Sequence, residues 1–201
     1  MKGFFSKYSY NMVKMFITQF AVGLFGAVLA LATSTHNVLI WVAGIGSILF
    51  YLFLIYVSAW EIGAKDRISI DLGKAKKRPW IGFLISLFAN LPNIVVALIY
   101  ALCWFIGKGE AGILTNIAAF MRVVTLFIEG MYYGLMTALN IGVNNFWWAY
   151  FVMAIPAILV CGVAYILGTM NAKATKMMDP VYPESDREPK KKLFARKKGD
   201  Q

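Results

Sequence analysis

The chain has 201 residues, is 60% apolar, and carries a net charge of +10 with a mean hydropathy of +0.65. That apolar share excludes an ordinary soluble domain. A basic excess of this size would suggest nucleic acid in a soluble protein, but here the Lys and Arg residues cluster before residue 15, in 61–80 and after 170. Blocks of that kind read as orientation signals and contacts to anionic lipid headgroups, with no nucleic-acid partner. The uncharged stretches between them, 15–60, 79–107 and 130–172, each exceed the roughly 20 residues that cross a bilayer core.

Residues 1–14 mix Lys2, Lys7 and Lys14 with Phe4, Phe5, Tyr8 and Tyr10, an interfacial anchor that continues into the first helix. Spans are expected at about 15–32 and 38–60, joined as a tight helical hairpin. Gly23/Ala27 and Gly26/Ala30 give the first span a face for close helix packing. A rival reading takes Ala30-Leu31-Ala32 as the end of a cleavable signal peptide.

The loop at 61–80 is strongly charged. Lys65, Asp66, Arg67 and Asp71 form a mixed-sign group suited to docking a cytoplasmic partner or to local ion pairs. Lys74, Lys76, Lys77 and Arg78 form a topogenic, lipid-binding cluster.

A third span is expected at 80–107, bracketed by Trp80 and Trp104. Gly82, Ser86, Asn90, Asn93 and Ala97 recur every three or four residues on one small, polar face. Pro92 between the asparagines cannot donate a backbone hydrogen bond, so it breaks or loosens the helix.

The fourth stretch, about 114–139, carries Arg122 and Glu129 in an otherwise apolar run. Ionisable groups at such depth face a bundle interior or cavity. On a regular helix Thr115, Arg122, Thr125, Glu129, Tyr133, Thr137 and Asn140 share one narrow face, which predicts a single continuous helix through Glu129-Gly130. Gly130 and Gly134 form a GxxxG pair.

A fifth span at about 146–170 opens with Trp147, Trp148 and Tyr150 and contains Pro156, a candidate second helix break. Residues 171–201 are rich in Lys, Asp, Glu and Pro and read as a basic disordered tail.

The expected fold is thus an all-α integral membrane protein of five transmembrane helices. The alternative is four spans plus a re-entrant or interfacial fourth segment. Five spans put the two basic ends on opposite sides, whereas the alternative gathers all three basic clusters on one side, as the positive-inside bias prefers. The N-terminus and the 61–80 loop are expected in the cytoplasm, at the cell membrane; the side of the tail stays open.

Depth matching by helix rise sets Glu129 level with Asn93, each about 20 Å below the end of the third and fourth helices, and Arg122 about 12 Å below it. Glu129, Arg122, Asn90, Asn93, Ser86 and Thr125 therefore form a candidate polar midplane site for a proton, cation or small polar solute. The competing reading makes them helix glue. The expected function is a small transport component, working as a homo-oligomer or within a larger membrane complex, with a non-catalytic scaffold subunit as the alternative. No enzyme, cofactor or metal chemistry is expected: the single histidine, His36, lies in the 33–37 turn, and Cys103 and Cys161 lack metal or redox spacing.

Overall fold

A computed structural model describes residues 2–73, 76, 78–107, 112–139 and 147–170. The expected tail, Lys74, Lys77 and Asn140 lie outside the described residues. Every regular element described is helical. In chain order they are α1 (Lys2–Thr33), α2 (Asn37–Asp71), α3 (Ile81–Ala89), α4 (Leu91–Gly107), α5 (Ile113–Ile128), a 3-10 turn (Gly130–Tyr132), α6 (Tyr133–Ala138) and α7 (Ala149–Thr169). Three helices, α1, α2 and α7, are individually long and apolar enough to cross a membrane; the count reaches five if each bent pair, α3–α4 and α5–α6, is one span.

The surface is unlike that of a soluble bundle, and a few polar groups lie within a mostly apolar core. Leu49, Phe53, Ile155, Leu159 and Val163 point outward, while Ser86, Asn90, Asn93 and Glu129 are buried. An outward apolar belt of this kind needs lipid or a partner to cover it.

Helix α2 corrects the expected loop at 61–80. Ser47, Tyr51, Ile55, Ala59, Ile62 and Asp66 are all buried and recur every three or four residues, so one packing stripe continues straight past residue 60. The helix stops where Gly73 takes a left-handed φ of 70°, its N–H bonding the Ile70 carbonyl at 2.9 Å. Lys65, Asp66, Arg67 and Asp71 are therefore helical residues, and at 35 residues α2 is about 52 Å long, well beyond a bilayer core of about 30 Å.

The third stretch divides at Asn90, with a bend of 53° between α3 and α4. Pro92, second residue of α4, has no N–H for the turn before it, and at the break the Ser86 carbonyl accepts from both the Asn90 backbone N–H and its side-chain amide, at 2.9 Å each. Pro156, by contrast, does not break its helix: α7 is continuous around it. The rest of the α7 ladder carries the helix past that one missing bond.

The fourth stretch is not the continuous helix expected. It bends by 87° at Glu129, whose backbone (φ −116°, ψ 24°) leaves the helical region. Tertiary packing overrides the helical phase here. A side-chain carbon at Gly23 of α1 would meet the Ile128 carbonyl oxygen at 2.6 Å, and one at Gly130 would strike the Gly23 carbonyl. The two backbones are in direct contact, which only glycine permits. Gly134 then meets Gly44 of α2, so the GxxxG pair serves two different neighbours on either side of the turn.

Packing also defines the two ends of the bundle. At one, the start of α1, the end of α2 and the end of α7 meet through Lys7, Asp66 and Tyr165. At the other, Tyr100 of α4 lies 5.0 Å from Tyr150 of α7, and Phe105 lies 4.9 Å from Trp147. Helix α5 starts at this second end, where Leu114 and Thr115 lie beside Gly107. Helix α7 starts at this same end.

Candidate functional site

The elbow places Glu129 inside the bundle at 4% exposure. The Asn93 side chain donates to its carboxylate and also to Asn90 Oδ1 at 3.0 Å, while Asn90 donates to the Ser86 carbonyl. Ser86, Asn90, Asn93 and Glu129 thus form one polar chain across α3, the α3–α4 break, α4 and the elbow. Asn90 reaches Glu129 through Asn93, without touching it directly.

Several oxygens in this chain and beside it lack a partner. Among the described residues, Glu129 Oε2, Asn93 Oδ1, Tyr51 Oη and Tyr132 Oη are buried with no hydrogen bond. Tyr51 projects from α2 and Tyr132 from the 3-10 turn; each hydroxyl lies within electrostatic reach of Glu129. Orphaned buried polar atoms are uncommon and costly, so four around one carboxyl group demand an explanation.

A cavity of about 290 Å³ lies in the elbow between α5, α6 and the start of α7. Arg122, Thr125, Glu129, Tyr133, Thr137 and Tyr150 supply its polar lining, against Met136, Met153 and aliphatic side chains. Arg122 engages the Tyr150 hydroxyl, and Tyr150 also lies within electrostatic reach of Glu129. Thr125 Oγ1 donates to the Met121 carbonyl at 3.0 Å. The cavity therefore joins an acid at its inner wall to a cation two helical turns nearer the second end.

The charged group at the end of α2 behaves differently. Asp66 is buried and accepts from Lys7 at 2.7 Å, Tyr8 at 2.6 Å and Tyr165 at 2.8 Å. It ties three helices together and is not on offer to a docking partner. Arg67 and Asp71 pair at 3.2 Å on the surface, an i,i+4 contact worth a few tenths of a kcal/mol. Lys65, Lys76 and Arg78 are exposed.

Tyr51, Tyr132 and Tyr150 are site residues that sequence reasoning missed. Tyr150 passed as an interfacial aromatic. Tyr51 had a usable signal, since it sits four residues from Ser47 and from Ile55 on the buried stripe of α2. Cys161, deep in α7, donates its thiol to the Gly82 carbonyl at 3.2 Å, and neither cysteine is in a disulfide.

Compared with protein-family models, characterised proteins and solved structures, the chain matches none.

Proposed function

We propose that this is an integral membrane protein of the cell membrane that moves a small polar or charged solute through the site at Glu129. One observation carries the reading: a buried carboxylate with an unpartnered oxygen stands at a helix elbow, on the wall of a cavity. Broken helices that expose backbone and polar groups at mid-depth are the usual architecture of transport sites. Helix glue alone does not require a charge at this depth.

The membrane arrangement that fits best has four crossings, α1, α2, α3–α4 and α7, with α5–α6 dipping in and returning. The matched helix ends support it, and it gathers the three basic clusters on one side, the cytoplasmic one by the positive-inside bias. Single cysteines at Ile113 and Leu139, in a chain lacking Cys103 and Cys161, should label from the same side of sealed vesicles. Labelling from opposite sides would return the fourth segment to a full crossing. Four crossings give little room for a complete alternating pathway, so the working unit is a homo-oligomer or a complex with a partner.

The function is tested in proteoliposomes, by following protons, sodium, potassium and small labelled zwitterions with the wild type and with Glu129→Gln. Wild-type flux that Glu129→Gln abolishes, with expression and assembly unchanged, supports transport. Identical behaviour of the two proteins would remove the reason for the site. It would leave the scaffold alternative, which keeps the exposed Lys65, Lys76 and Arg78 but has lost Asp66.

A further inference from the structure

We infer that the elbow holds a monovalent metal cation, coordinated by Glu129 with Asn93, Tyr51 and Tyr132. The inference deepens the transport reading by naming what occupies that site, and it stands on the geometry around the acid.

Glu129 caps the C-terminal end of α5, which carries the negative end of the helix dipole. A carboxylate there, at 4% exposure and inside an apolar bundle, needs a compensating positive charge. Asp66 shows how this chain meets that need when a side chain does it: a lysine sits on the carboxylate. No ion pair to Glu129 is found among the described residues. Its neighbours Asn93, Tyr51 and Tyr132 are uncharged.

A proton on Glu129 would cancel the charge but leave the other oxygens as they are. It brings no partner of its own to Asn93 Oδ1, Tyr51 Oη and Tyr132 Oη. A cation uses all four oxygens at once, with water completing its shell. The donor set is entirely oxygen, which selects a hard ion over a transition metal. It contains one carboxylate, which balances a single positive charge; Ca²⁺ and Mg²⁺ sites are built from more oxygens and more negative charge. Helix C-terminal ends at breaks are established coordinators of such ions in membrane proteins. Arg122, on the cavity wall two turns away, further disfavours a divalent ion.

The test is thermal unfolding of the detergent-purified protein in NaCl and in KCl, each titrated against choline chloride at constant ionic strength. A ligand that binds only the folded state raises Tm with its concentration. The wild type should show a saturable rise with one of the two alkali cations. Glu129→Gln should abolish that rise, and Tyr51→Phe should weaken the apparent affinity about tenfold. Direct binding of radioactive sodium, or of rubidium in place of potassium, to the wild type gives a readout that needs no variant to fold. A wild-type Tm that ignores both cations, with no binding of either isotope, overturns the inference. So does a cation response of the same size in Glu129→Gln. The two proposals separate cleanly. Cation binding with flux indifferent to Glu129 would sink transport and leave the ion site standing, whereas Glu129-dependent flux without cation binding would do the reverse.

Discussion

The bundle contains two buried acids that solve the same electrostatic problem in opposite ways. Asp66 has a lysine and two tyrosine hydroxyls on its carboxylate, drawn from α1 and α7. Glu129 has one amide donor, an unpartnered oxygen and a cavity beside it. An acid whose partners all come from the protein is a bolt. One whose partners are incomplete in the protein has capacity left for something else. Burial is the same, 5% against 4% exposure, so completeness of the partner set, not burial, separates the two acids.

That contrast can be broken by mutation. The largest effect is expected at Asp66→Ala, which strips two buried hydroxyls of their acceptor and costs about 3–5 kcal/mol of stability, read from thermal or denaturant unfolding in detergent. A loss below about 1 kcal/mol would mean that the three-helix junction is not a bolt. Gly130→Ala comes next. Its new methyl would strike the Gly23 backbone, forcing α1 off the elbow at about 1–3 kcal/mol, with weaker cross-linking between cysteines placed on α1 and α6. Lys7→Ala should cost under about 1 kcal/mol, since Lys7 is half exposed and screened by solvent. Smallest is Glu129→Gln, which removes a buried charge and, measured in choline chloride, should leave stability unchanged or slightly raised.

Much of the arrangement was legible because helix geometry is invariant. Counting rise per residue sets Glu129 and Asn93 at one depth, and in the structure the two side chains touch. The Ser86, Asn90, Asn93 face could be seen from its spacing alone, and each of these residues is buried. Phase counting failed at the elbow for a definable reason. The turn at Glu129 goes with Gly23 of α1 packing against the backbone of Ile128 and Gly130, contacts distant in sequence that no local pattern records. Asp66 was read as one member of a mixed-sign loop, when the apolar stripe Ile55, Ala59, Ile62 leads directly to it. Its partners, Lys7 and Tyr165, come from the far ends of the chain. Proline was an uneven guide too: Pro92 accompanies a break near a helix start, and Pro156 sits inside an unbroken helix.

The most direct test sets the two acids side by side: Tm of Asp66→Asn and Glu129→Gln, each measured in saturating alkali chloride and in choline chloride. Asp66→Asn should lower Tm by about 5 °C in both salts and keep the wild-type difference between them. Glu129→Gln should hold the wild-type Tm in choline and show no difference between salts. A Glu129→Gln protein that loses as much stability as Asp66→Asn, while still responding to the cation, would contradict the account.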